Sequence, residues 1–121
     1  MANLKMKEIK AFVPAKDYHL SKQFYQDIGF KIGHDSHDVT YFHLDNCSFL
    51  LQNFYVKEHA SNFMMHILVE DLKSWHNKLT ALKLGENYDA FVGDISIQPW
   101  GMKDFILSDP SKVLWRFGQL A

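Results

Sequence analysis

Residues Gln98–Gly118 read QPWGMKDFILSDPSKVLWRFG, and this stretch decides the fold. Proline presets φ for a turn and cannot donate to a sheet ladder, so Pro99 and Pro110 bracket a hairpin. A Pro-Trp-Gly corner is followed by a predicted strand, Lys103–Leu107, a turn on Asp109-Pro110-Ser111-Lys112, and a second strand, Val113–Phe117. Period-2 alternation in that second strand sends Val113, Trp115 and Phe117 to one face, and Leu114 and Arg116 to the other. An arginine on the second face of an inner strand is either at a solvated rim or aimed at a bound molecule.

Working outward, the same grammar recurs. Glu8–Val13 alternates as a strand, with Ile9, Ala11 and Val13 on one side and Lys10 and Phe12 on the other. Asp17 is a predicted N-cap for a helix from Tyr18 that carries Leu20, Phe24, Tyr25 and Ile28 and stops at Gly29. A short strand over Phe30–Gly33, a polar turn at His34–Asp38, and strands Val39–Leu44 and Ser48–Gln52 around an Asp45-Asn46 turn follow. After a polar connector, Asn53–Asn62, the order repeats. It runs through strand Phe63–Val69, an Asp71-capped helix with Leu72, Trp75, Leu79 and Leu82 closed by Gly85, a loop Glu86–Ala90, strand Phe91–Ile97 and the hairpin. Asp17 aligns with Asp71, Lys10 with Met64, Asp45 with Asp109, and Gln52 with Arg116. A duplicated unit accounts for the coincidence of caps, periods and turns.

The two faces set the architecture. Ile9, Ala11, Val13, Phe49, Leu51, Met65, Ile67, Val69, Val113, Trp115 and Phe117 form one apolar set on which two amphipathic helices can dock. The opposite face mixes Lys10, Phe12, Leu50, Gln52, Met64, His66, Leu68, Leu114 and Arg116. Helices on one face of a sheet make an α+β fold, and a mixed second face marks a ligand cleft or a subunit interface.

Composition narrows the class. At 121 residues the chain reads as one domain, about 1–57 and 62–121 being its halves. Net charge is −1 with no basic run, which removes the footprint of a nucleic-acid binder. No apolar run approaches membrane-spanning length and MANLKMKEIK has no signal-peptide core, so a cytoplasmic, non-membrane protein is expected. The single Cys47 precludes an internal disulfide and is expected to be buried at the head of its strand. His34 and His37 flank Asp35 in what reads as a solvated turn. No nucleophile–base pair and no phosphate loop is present.

VPAKDYHLSKQFYQDIGF (Val13–Phe30) and the closing stretch together resemble the two module signatures of the vicinal oxygen chelate superfamily, which holds glyoxalases, extradiol dioxygenases and bleomycin-resistance proteins. The second signature is most similar to the bleomycin-resistance branch. The resemblance implies two tandem βαβββ modules forming a curved mixed sheet with helices on the outer face. Metal-using members hold a divalent ion with one residue from each module's first strand and one from each last strand. Carried over, those positions are Lys10, Gln52, Met64 and Arg116. Only Gln52 is of a ligand type, since Lys and Arg repel a divalent ion and thioether sulfur suits hard metals poorly.

The reading is therefore a cofactor-free small-molecule-binding protein, non-catalytic, sequestering an aromatic or antibiotic-like ligand. The resemblance implies a homodimer with the cleft at the subunit interface. Candidate ligand contacts are Lys10, Phe12, Gln52, Phe54, Tyr55, Met64, His66, Trp100 and Arg116, with Phe105 a further aromatic. Trp100 either presents its ring to the ligand or plugs one end of the core. Arg116 either contacts the ligand or pairs with Asp104, Asp94 or Glu70. Lys10 and Arg116 favour an anionic or neutral aromatic. The alternative is a metal-dependent glyoxalase- or dioxygenase-type enzyme with a relocated ion among His66, Gln52 and His43.

Overall fold

The computed structural model describes all residues, Met1–Ala121. The first half contains β1 (Phe12–Pro14), α1 (Tyr18–Ile28), β2 (Lys31–Asp35), β3 (Val39–Leu44), β4 (Cys47–Gln52) and a short α2 (Lys57–Ser61). The second contains β5 (Met64–Leu68), α3 (Leu72–Ala81), α4 (Leu84–Tyr88), β6 (Phe91–Val92), β7 (Ser96–Ile97), β8 (Met102–Ser108) and β9 (Leu114–Leu120). Each half is a βαβββ-type unit with a mixed sheet, ordered β1-β4-β3-β2 in the first and β5-β9-β8-β6 in the second, with β7 also on β8. In each, the first strand runs parallel to the last and the others are antiparallel. No strand pair joins the two sheets.

Local chemistry explains the elements. The Asp17 carboxylate accepts from Leu20 N at 3.1 Å, and that of Asp71 from Ser74 N at 3.0 Å, satisfying donors that a first helical turn leaves open. Gly29, at φ 128°, takes the conformation that ends α1 and donates back to the Tyr25 and Gln26 carbonyls. The inward faces match the sequence reading at Val13, Phe49, Leu51, Val113, Trp115 and Phe117, all buried, with Met65, Ile67 and Val69 packed against them.

Four expectations are corrected. The first strand is only three residues long, and Ile9, placed in the core set, is almost fully exposed. Its arm runs past the end of the helix layer, where nothing covers it. Gly85 does not close the second helix: α3 ends at Ala81, Lys83 turns left-handed at φ 52°, and Gly85 lies inside α4. Burial of Leu84 and Tyr88 draws the first part of the expected loop Glu86–Ala90, Glu86–Tyr88, onto the core as helix. Cys47 is exposed, because at the start of β4 it opens onto the space between the two units.

The two units meet through side chains. Tyr25 of α1 lies with its ring centroid 4.9 Å from Phe49 of the first sheet and 5.5 Å from Trp115 of the second. Its hydroxyl donates to Asp109 Oδ2 at 2.5 Å and accepts from Trp115 Nε1 at 2.8 Å. Asp109 Oδ1 also accepts the backbone N–H groups of Ser111 and Val113. Ser111 Oγ in turn accepts from Lys16 N of the first unit at 2.8 Å. Burial pushes the Asp109 carboxyl up to about 6 despite these donors, and raises the Tyr25 phenol as well.

Candidate functional site

With the core consuming the inward faces, chemistry is left to the second faces. Strand register places Phe12, Leu50 and Tyr41 side by side on the first sheet, and Pro14, Gln52 and Val39 one step along. On the second sheet His66, Arg116 and Ile106 form one row, and Met64, Leu114 and Ser108 the adjacent row. The predicted quartet draws two residues from each half: Gln52 lies in the first sheet with Lys10 just ahead of β1, and Met64 and Arg116 lie in the second. Within the first sheet Gln52 pairs with Pro14, four residues beyond Lys10. Within the second, Met64 pairs with Leu114 and Arg116 with His66.

The two cations are not free. Lys10 Nζ pairs with the Glu8 carboxylate at 2.9 Å and lies 5.2 Å from the Tyr41 ring centroid. Glu8 also accepts from Ser48 Oγ at 2.5 Å and from the Tyr41 hydroxyl at 3.3 Å. Its carboxyl is held below the usual carboxylate range, first by Ser48 and then by Lys10. Arg116 Nη1 donates to Asp104 Oδ2 at 2.9 Å, so among the three partners considered for it Asp104 is the one found. Of the two readings offered for Arg116, the structure shows the ion pair, and Lys10 has a carboxylate partner as well.

The aromatic candidates separate sharply. Phe12, Phe54 and Trp100 are at least half exposed. Trp100 stands on a corner turned by Gly101 at φ 86°, and its exposure excludes the plug reading. Tyr55 is half-buried against the core, with Lys16 Nζ 5.8 Å from its ring. Phe105 is fully buried, stacked on Phe117 with centroids 5.1 Å apart, and drops out of any binding surface. It belongs to the inward row of β8, a register fixed by its pairing with Phe117.

Between the units run two half-open cavities that sequence reading missed. One, of about 440 Å³, is lined by Phe30, Leu44, Cys47, Ile67, Trp75 and Phe117 among others. The second, of about 340 Å³, brings Ile9, Phe30, Cys47 and Trp115 to His66. Of the predicted contacts only His66 lines them.

No group of three or more His, Cys, Asp or Glu side chains is placed to hold a metal ion. Of the alternative metal set, His43 pairs with Ser48, four residues from Gln52, and His66 lies on the other sheet. The donor set at Lys10, Gln52, Met64 and Arg116 does not fit a divalent ion either, since it offers two paired cations and a thioether beside one amide. His34 and Asp35 are the end of a strand rather than part of a turn. Asp35 accepts from Lys22 at 2.9 Å and Thr40 Oγ1 at 2.8 Å, which lower its carboxyl pKa, Lys22 first.

A family model described as the Glyoxalase/Bleomycin resistance protein/Dioxygenase superfamily matches residues 8–117. The chain belongs to this superfamily. Among solved structures, a bleomycin-binding protein complexed with bleomycin superposes with a TM-score of 0.81 at 18% identity, covering 96% of this chain and 100% of that one. TnmS3, an antibiotic-binding protein from Streptomyces sp. CB03234, gives 0.76 at 16% identity, covering 98% and 100%. A lactoylglutathione lyase from Agrobacterium tumefaciens gives 0.71 at 16%, covering 95% of each chain. At these identities the likeness is one of fold, and the fold is that of binding proteins and enzymes alike. Among proteins of curated function no sequence match was found.

Proposed function

We propose that this superfamily member binds a small aromatic molecule without a metal ion and holds it chemically unchanged, in a cleft walled by the second faces of the two sheets. The observation that carries the reading is the occupancy of the four superfamily ligand positions. Lys10 and Arg116 offer a divalent ion no lone pair, Met64 only a thioether that suits hard metals poorly, and both cations already have carboxylate partners. Exposed Phe12, Phe54 and Trp100 supply ring surface of the kind that stacks on a flat ligand at low ordering cost. Gln52, Tyr55, Met64 and His66 are the remaining proposed contacts. The bleomycin-binding protein and TnmS3 give precedent for antibiotic binding on this fold.

The cleft is completed by a second copy of the chain. The second faces expose Met64, Leu68 and Leu120 alongside Phe12, apolar surface of the kind a partner chain covers. The proposed setting is cytoplasmic, which the exposed, unpaired Cys47 suits. A thermal-shift screen of aromatic antibiotics and catechols, with and without divalent ions, tests the binding. Stabilisation by an aromatic compound in chelator supports it; stabilisation only when an ion is added overturns the metal-free claim. Light scattering at micromolar concentration is expected to give the mass of two chains, and a monomer mass removes the shared cleft.

A further inference from the structure

We propose that Asp104, acting through Arg116, sets the class of ligand this cleft accepts: an uncharged planar molecule that offers a carbonyl-type oxygen to the guanidinium. The inference rests on the aromatic-binding reading above and adds a ligand chemistry and a positioning residue to it.

Asp104 is a carboxylate in the wrong place for a core role. The core lies on the inward faces, whereas Asp104 sits on the second face of β8, opposite Gly118 and diagonal to Arg116. Its side chain is nevertheless almost wholly buried, at 2% exposure against 24% for Arg116. Both oxygens are used. Oδ2 accepts from Arg116 Nη1 and Oδ1 from Gln98 Nε2, each at 2.9 Å. A carboxylate held at both ends fixes the guanidinium that it grips, and it cancels that guanidinium's charge. Arg116 is the more exposed partner, and the contact with Asp104 engages one nitrogen of a group that carries five N–H donors.

The surroundings are polar without carrying free charge. His66 is the ladder neighbour of Arg116. Its ring and the Met102 methyl close over Gly118 from two sides, so that a Cβ there would meet His66 Nε2 and Met102 Cε at 2.9 Å each. Lys10, the other cation among the proposed contacts, is likewise paired, with Glu8. An anion entering this site gives up its hydration and finds no uncompensated cation. A cation meets Arg116 before Asp104. A neutral carbonyl oxygen gives up little and accepts a bond from a charged donor, the stronger kind of hydrogen bond.

Ligand-observed NMR titration with three probes tests this: coumarin, with a lactone carbonyl; naphthalene, with two fused rings and no acceptor; and 2-naphthoate, with a carboxylate. The wild type is expected to bind coumarin about tenfold more tightly than naphthalene and no less tightly than 2-naphthoate. Arg116→Lys keeps a cation but loses the planar fork, and the coumarin preference should fall severalfold. Asp104→Asn frees the charge of Arg116, and 2-naphthoate should gain about tenfold over coumarin, a change that a purely structural role would not produce. If Asp104→Asn does not fold, Gln98→Met releases one carboxylate oxygen and should lower the coumarin preference. Equal binding of coumarin and naphthalene, a wild-type preference for 2-naphthoate, or an unchanged preference in these variants overturns the assignment and leaves aromatic binding standing. Failure of all three probes to bind the wild type overturns the aromatic-binding reading, and this assignment with it.

Discussion

Asp45 and Asp109 occupy matching places in the two units, each opening the turn before its unit's last strand, and they have opposite fates. Asp45 is exposed, at φ 52°, in a turn of two residues between Leu44 and Cys47. Asp109 is fully buried in a turn of five residues between Ser108 and Leu114, where it grips Tyr25 across the seam. The order of strands is the same in the two units, while the turn at this step differs in length and its aspartate is put to different use. In one unit it turns a hairpin; in the other it fastens the units together.

The largest way to break this contrast is Asp109→Ala. It strips acceptors from the Tyr25 hydroxyl and from two buried N–H groups. The expected loss is about 3–5 kcal/mol by urea unfolding, comparable with removing one member of a buried polar pair. Asp45→Gly should change stability by less than about 1 kcal/mol, since glycine suits a positive φ. Equal losses at the two sites would erase the difference between the turns.

Next in size is the pH dependence. The folded Asp109 carboxyl is raised to about 6, above its ordinary value of 3.8. Its protonation therefore favours the folded state: this contribution is fully present below about pH 4 and is lost as pH rises through about 6. Up to about 3 kcal/mol rides on a shift of this size. The difference in unfolding free energy between wild type and Asp109→Asn should accordingly move in the wild type's favour as pH falls from 7 to 4. A constant difference across that window contradicts the burial argument. Glu8, Asp35 and Asp71 act with the opposite sign, their contributions failing only as pH drops through their lowered values.

Tyr25→Phe sharpens the comparison by keeping the ring and removing only the hydroxyl. A loss of about 1–3 kcal/mol is expected, because Asp109 Oδ2 and Trp115 Nε1 are left without that partner. Smallest are the helix caps, where the repeat did conserve function. Asp17→Ala and Asp71→Ala should each cost about 1 kcal/mol, and should match each other in thermal melts.

What was legible in the sequence is what local chemistry decides. Asp17, Asp71 and Gly29 announce helix ends through bonds spanning a few residues, and period 2 assigns Phe49, Trp115 and Phe117 inward without knowledge of neighbours. The site was only partly legible because its decisive contacts join distant positions. Tyr25 and Asp109 are 84 residues apart. The choice of Asp104 as partner for Arg116 depends on the β8–β9 register, which sets the two diagonally. Cys47 and Ile9 fit an apolar pattern yet are exposed, since periodicity tells which face a residue shares and not where the covering layer stops.

The central claim is that a flat ligand settles on the second faces without an ion. The most direct measurement is amide chemical-shift mapping of chelator-treated protein titrated with coumarin. The account predicts saturable shifts centred on Phe12, Gln52, Met64, His66 and Arg116 in the absence of any divalent ion. Shifts that arise only after a divalent ion is added, or that fall on the inter-unit cavity around Phe30 and Trp75 instead, would contradict it.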